Sequence, residues 1–299
     1  MQQLIVIEGP TASGKTSLAV TLAKKLNTVV LSADSRQFYK ELSIGTAKPT
    51  LDEMEGIPHY FIDSHNISTP VSASQFESEA MELIQGELAH YEKLILVGGS
   101  GMFIDALCLG LDPIPTDTPT QDVLRKELEK TGIEPLLKEL EETDPEFYHQ
   151  VDKQNPMRIL RALEVIRFTK IPFSTWRKNE LPKRPFEVVR FVINHPREVL
   201  YERINQRVDQ MIEAGLIEEV KNVAEYRNLT ALQTVGYKEV FDYLDGGTDL
   251  ETCISKIKQH TRNYAKRQLT WFKKHPDTIW LDAKPTDELC REILQVVQN

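Results

Sequence analysis

Residues 5–20 read IVIEGPTASGKTSLAV. Three β-branched residues, Ile5, Val6 and Ile7, lead into Gly9-Pro10-Thr11-Ala12-Ser13-Gly14-Lys15-Thr16, and from Leu18 apolar residues recur at helical spacing. The order is strand, glycine loop, helix. The spacing G-x-x-x-x-G-K-[ST] turns successive backbone N–H groups and a helix N-terminus onto one anion. Lys15 adds charge there, and the Thr16 hydroxyl can hold Mg2+. The expected ligand carries at least two phosphates. It either donates a phosphate, as in a kinase, or loses its phosphates as a leaving group.

Outward from this loop, "TVVLSADS" (28–35) reads as a second buried strand and "KLILVGGSG" (93–101) as a third, with the helical "ESEAMELIQGELAHY" between them. Such alternation predicts a parallel sheet with right-handed crossovers. "LDPIPTDTPT" (111–120) breaks the pattern with three prolines, and residues 121 to about 169 read entirely as helix. "IPFSTWRKNELPKRP" (171–185) is irregular, "FEVVRFVIN" (186–194) is a strand again, and helices are expected from there onward. The predicted fold class is α/β, a P-loop NTPase-like parallel sheet core with an inserted all-helical domain. Its boundaries are 1–113 for the first part of the core, 114–184 for the insertion and 185–299 for the second part.

The hydrophobic and charged fractions, 40% and 27%, are those of an ordinary globular protein. A strand at the very start leaves no room for a signal peptide, and no apolar run approaches membrane-spanning length, so a cytoplasmic protein with no membrane partner is expected. The three cysteines, Cys108, Cys253 and Cys290, are far apart and lack metal-ligand spacing. Reduced, buried thiols are expected. The net charge of −9 is distributed unevenly. Residues 112–152 hold 12 acidic and 4 basic side chains, residues 153–207 hold 13 basic and 5 acidic, and residues 255–274 hold 7 basic and none acidic. Segregation of this kind can place a positive surface on an acidic protein, as a phosphate-rich partner needs; basic runs alone are better explained as solvated helix faces, and the motifs below shift that balance.

In a doubly wound sheet ligands sit at the carboxyl ends of the strands. The P-loop, "SADSRQFYKELSIGTAKP" (32–49) and "GGSGMF" (98–103) should therefore share one crevice. Asp34 is the carboxylate best placed there to act as a base or Mg2+ ligand; the alternative is an Asx turn. Ser100, between two glycines, either hydrogen-bonds near the ligand or turns the chain. Arg203 and Arg207 lie one helical turn apart, placed to meet phosphate or to form surface ion pairs.

These motifs, followed by "NPMRILRALEV" (155–165), "VGYKE" (235–239) and "TRNYAKRQLTWF" (261–272), occur in an order that resembles the bacterial tRNA dimethylallyltransferases across nearly the whole chain. The resemblance implies transfer of a dimethylallyl group from its pyrophosphate to the exocyclic amine of adenine at tRNA position 37. Dimethylallyl pyrophosphate, the tRNA anticodon stem-loop and Mg2+ are then the expected partners of a monomeric enzyme. Two departures stand out. The third loop reads Gly98-Gly99-Ser100-Gly101-Met102-Phe103 where the family has G-G-T-G-L-Y, and the zinc-finger tail of eukaryotic relatives is absent.

Under that resemblance the catalytic residues are Asp34, which accepts the amine proton, Ser100, which orients Asp34 or the base, and Lys15. Residues Gly9 to Thr16 and Arg207 hold the pyrophosphate, with Mg2+ on Thr16. The tRNA contacts are Asp34, Ser35, Arg36, Gln37 and Ser100, then Arg125, then Met157, Arg158, Ile159, Leu160 and Arg161, then Gln233, Gly236 and Tyr237. By periodicity Ile159 belongs to a core stripe with Leu163 and Ile166, and the face of Tyr264, Gln268 and Trp271 also reads as core. The rival reading is a nucleotide or small-molecule kinase using ATP in the same loop; a third is a nucleotide-switched binding module.

Overall fold

A computed structural model of the chain describes residues 1–177 and 182–298. They divide into two compact units, residues 1–108 with 184–299 and residues 109–183.

The first unit is built on a six-stranded, wholly parallel sheet in the order β3-β2-β4-β1-β5-β6. The strands are β1 (Gln2–Glu8), β2 (Val30–Ser32), β3 (His59–Tyr60), β4 (Lys93–Gly98), β5 (Phe186–Asn194) and β6 (Ile279–Asp282). Leu4 to Ile7 are at most 1% exposed, as a central strand covered on both faces requires. α1 (Lys15–Leu26) lays Leu18, Ala19, Leu22 and Ala23 on Ile5 and Ile7, and the last helix of the chain (Thr286–Val297) adds Leu289, Cys290, Ile293 and Val297 to the same cluster. Cys108, Cys253 and Cys290 are free and buried.

α2 (Leu51–Met54) and α3 (Ala73–Gln85) lie between β2 and β4, and α4 (Gly101–Leu109) follows β4 directly. The third loop is thus shorter than expected, because Gly101 to Phe103 already form the first turn of α4. Four rings, Phe38, Phe61, Phe76 and Phe103, meet at centroid distances of 4.9 to 6.1 Å and pin the segment after β2 against α3 and α4.

The second unit contains α5 (Thr118–Thr131), α6 (Glu134–Thr143), α7 (Pro145–Gln150), α8 (Pro156–Thr169) and α9 (Phe173–Trp176). The division falls at 108/109, whereas the proline run had suggested 113/114. Part of the stretch expected to be irregular, Phe173–Trp176, is a short helix, and residues 178–181 lie outside those described. α8 is the spine of this unit, with Ile159, Leu163, Val165 and Ile166 in its core. Three carboxylates organise its periphery. Glu127 and Glu139 grip Arg167 at 2.8 and 2.5 Å. Buried Glu164 accepts from the Asp117 amide at 2.8 Å and pairs with Arg161 at 2.6 Å, fixing the start of α5, where Asp117 caps the helix.

After β5 the first unit continues with α10 (Arg197–Glu213), α11 (Leu216–Asn222), α12 (Tyr237–Leu244), α13 (Leu250–Phe272) and, beyond β6, α14 (Thr286–Val297). The expectation of helices alone after residue 194 is corrected by β6, which pairs with β5 from Phe191↔Ile279 to Asn194↔Asp282. Four residues with only Leu281 buried carry too little apolar signal to mark an edge strand. β3 is two residues long and was missed for the same reason.

Glu164→Ala removes both the acceptor for the Asp117 amide and the partner of Arg161. It is expected to destabilise the second unit by about 3 kcal/mol. Urea unfolding should show the loss, and hydrogen exchange should place it at residues 114–131.

Candidate active site

The loops after β1, β2 and β4 all leave the carboxyl edge of the sheet, where three neighbouring strands deliver them together. The P-loop needs left-handed backbone at Ala12 (φ 65°) and Gly14 (φ 88°), and a Cβ on Gly9 would lie 2.5 Å from the Ser13 hydroxyl. Its shape is imposed from distant parts of the chain. Arg203 Nε on α10 donates to the Ala12 carbonyl at 2.8 Å, and His195 Nε2, just past β5, donates to the Ser13 carbonyl at 2.8 Å. The Thr11 N–H donates to the Gln268 side chain on α13 at 3.0 Å, and the Ser13 N–H to the Pro10 carbonyl at 3.2 Å. Gly14, Lys15 and Thr16 form the junction with α1, where the first amides of a helix lack intrahelical partners.

Positive charge concentrates at this junction. Burial, reinforced by nearby Arg207 and opposed by Asp34, brings Lys15 down to about 8. Burial and the neighbouring Arg203 likewise lower Arg207, with Glu53 and Asp34 opposing them. Cations whose charged forms are disfavoured in the free protein are relieved by an incoming anion. Arg203, which could have been a surface ion pair, instead shapes the loop itself.

Asp34 Oδ1 accepts from the Arg36 amide at 3.2 Å, so the Asx turn weighed from sequence is present. The same carboxylate is close enough to Lys15, Arg207 and Tyr264 to influence the titration of all three. Ser100, expected to orient Asp34 or the base, contacts the residue that follows Asp34. Its Oγ accepts from the Ser35 N–H at 3.2 Å and lies 3.3 Å from Ser35 Oγ, holding the residue next to Asp34.

Tyr264, expected in the core, is 36% exposed over the whole residue; burial of its phenol end and the Asp34 charge push it up to about 12, with Ser100 close enough to oppose the shift. It therefore belongs to the site. Trp271, on the same helix face, donates to Asp105 at 2.7 Å and occupies the space that a Cβ on Gly101 would need.

The segment after β2 is braced from behind. Gln37 donates to the Thr46 and Ala47 carbonyls at 3.1 and 3.2 Å. Three successive amides, Ser43, Ile44 and Gly45, donate to Glu219 at 2.7 to 2.9 Å, and the Tyr237 hydroxyl donates to the same carboxylate at 2.7 Å. Sequence reasoning missed Glu219 and His195 and read the face that holds Gln268 as core, since neither motif nor spacing links them to residues more than 160 positions away.

The residues assigned to tRNA fall into two groups. Arg125, Met157 and Arg158 are exposed in the second unit, where Arg125, Met157, Leu160, Arg161 and Glu164 line a small recess. Ile159 is fully buried and Leu160 is 6% exposed, so their apolar side chains serve the core of α8, a correction for both. Arg161 is committed to Glu164 and to the Ile114 carbonyl. In the first unit Gln233 is exposed, but Gly236 and Tyr237 are buried. Tyr237 lies against Gly45, where a Cβ would stand 2.7 Å from its ring. The direct RNA contact expected of Tyr237 is therefore replaced by support of the loop at 43–45, while Gly236 is buried and gives its N–H to Glu239 at the start of α12.

The comparisons with known proteins agree on one family. The model described as IPP transferase matches residues 37–275. A tRNA dimethylallyltransferase of Cytophaga hutchinsonii is 48% identical over 287 residues, covering 96% of this chain and 94% of the relative. Bacteroides thetaiotaomicron tRNA dimethylallyltransferase 1 is 44% identical over 290 residues, covering 97% and 94%. Among solved structures, the full-length tRNA isopentenylpyrophosphate transferase of Bacillus halodurans superposes with a TM-score of 0.73 at 37% identity, covering 100% of this chain and 96% of its own. A eukaryotic dimethylallyltransferase acting on tRNA gives 0.81 at 28% identity, covering 99% and 78%. By its matched length, its identity to these relatives and its P-loop architecture, the chain belongs to the IPP transferase family.

Proposed function

We propose that the chain transfers a dimethylallyl group from dimethylallyl pyrophosphate to the exocyclic amine of adenine 37 in tRNA, with release of pyrophosphate. The observation that carries this reading is the pairing, in one site, of an anion cradle holding two charge-strained cations with a carboxylate, Asp34, on the neighbouring loop. The amine of adenine is a poor nucleophile because its lone pair is delocalised into the ring. Attack on the allylic carbon therefore needs a stabilised leaving group and a base. Lys15, Arg207 and the amides at the start of α1 meet the charge that grows on pyrophosphate as the C–O bond breaks. Asp34 accepts the proton that the amine loses as the C–N bond forms. Extrusion of the base from its stack brings the amine to a site of this kind.

Mg2+ fits the donor set. Thr16 offers one hydroxyl, and no group of three His, Cys, Asp or Glu side chains among the described residues could hold a metal. That suits an ion held largely by substrate phosphates and water. When bound, Mg2+ supplies further charge neutralisation at the pyrophosphate. No helix among the described residues is long and apolar enough to cross a membrane. The tRNA substrate is the ground on which we propose a cytoplasmic enzyme, and we expect it to act as a monomer. The kinase alternative explains the loop but not the family to which the chain belongs.

Asp34→Asn keeps the shape and the turn to Arg36 while removing basicity. Both substrates should still bind, and single-turnover transfer should slow by about a hundredfold or more. A second expectation follows from Lys15. Its proton is held less tightly in the free protein, at about 8, than it would be beside bound pyrophosphate, so binding above that pH requires proton uptake. Affinity for dimethylallyl pyrophosphate should fall as pH rises through about 8 toward 10. Tyr264, at about 12, stays neutral across that window. Calorimetric titrations at several pH values check both the fall and the proton uptake. A third test concerns RNA. Arg125→Ala with Arg158→Ala should flatten the dependence of log tRNA affinity on log salt by about one to two units, leaving the allylic substrate unaffected.

A further inference from the structure

α13 presents Tyr264, Gln268 and Trp271 along one face, at spacings of four and three. Each touches the third loop or the helix it starts. Only Gln268 also reaches the P-loop. The residue is 6% exposed, and its carboxamide is used at both ends, Oε1 accepting from the Thr11 N–H at 3.0 Å and Nε2 donating to the Gly99 carbonyl at 2.8 Å. Gly99 is built around it, since a Cβ there would lie 2.3 Å from Nε2.

We propose that Gln268 is a positioning residue for the transfer reaction, a strut that sets the separation between the leaving-group cradle and the loop that holds Asp34. The chain of contacts is continuous. Thr11 belongs to the cradle, Gln268 joins it to Gly99, and Ser100, next to Gly99, holds Ser35, the neighbour of Asp34. The strut also decides which amides face the ligand, because the Thr11 N–H is committed to Gln268 and only donors nearer α1 remain for pyrophosphate. Glutamine suits the role because it is both donor and acceptor at the required reach. Glutamate cannot donate to Gly99, and methionine, of similar length, offers neither hydrogen bond. Displacement at carbon depends steeply on the distance and alignment of the attacking amine, the carbon and the leaving oxygen, so a small loss of register slows the step far more than it weakens binding.

This inference rests on the dimethylallyl transfer reading, which wild-type protein in the same assay tests separately. The experiment measures single-turnover rate and dissociation constants of dimethylallyl pyrophosphate and tRNA for Gln268→Met, Gln268→Glu and Gly99→Ala, each first checked for a cooperative melt. The Gly99 variant displaces the carboxamide without altering it, so it serves if the core substitutions do not fold. The expected result is a rate loss of about tenfold to a hundredfold in every folded variant, with both dissociation constants within about threefold of wild type. Combining Gly99→Ala with Gln268→Met should cost little more than either alone, because both break one link. Three results would overturn the proposal: rates within twofold of wild type, rate losses matched by equal losses of pyrophosphate affinity, or fully additive losses in the double variant.

Discussion

The site depends on a short piece of backbone that does not hold its own shape. Ala12 carries a side chain in left-handed backbone, a conformation that costs free energy outside glycine. It persists because Arg203 and His195 fasten the carbonyls of Ala12 and Ser13, while Gln268 holds the amide of Thr11. All three side chains follow the helical insertion in sequence. The anion cradle at the start of the chain is therefore completed only by residues 195, 203 and 268, and the sheet must accept β5 before the loop is held.

Electrostatics adds a second constraint in the same place. Lys15 and Arg207 share a partly covered space in which Asp34 acts on both and Glu53 on Arg207, and both bind their protons less tightly than in water. Such an arrangement is unfavourable for the protein alone and favourable once an anion arrives, which is the differential that stabilising a departing pyrophosphate requires. Asp34 has two tasks. It moderates the cations and stands beside them as the one carboxylate suited to take a proton from an amine.

Much of this was legible from the sequence because the signals were local. The strand, loop and helix at residues 2–26, β5 at 186–194 and α8 at 156–169 each announce themselves within one element, through β-branched runs, glycine spacing or helical periodicity. What escaped detection is non-local or too short to have a period. β3 and β6 have two and four residues. The contacts of Gln268 with Thr11 and of Glu219 with Ser43 span 257 and 176 positions, and neither partner advertises the other. Tyr237 misled for a related reason. A motif marks that a residue matters without saying whether it touches the ligand or supports the loop that does, and only its burial separates the two.

The carboxylate of Glu219 also closes off an opportunity for error. Three successive amides converging on one point, as at residues 43–45, make a concavity that receives oxyanions. In a protein that handles pyrophosphate and tRNA, an open second receptor would compete for the same phosphates. Filled from within by a tethered carboxylate and backed by the Tyr237 hydroxyl, it has no donor left to offer. Of these two loops, one is plugged by the protein's own anion and the other, the P-loop, remains for the substrate.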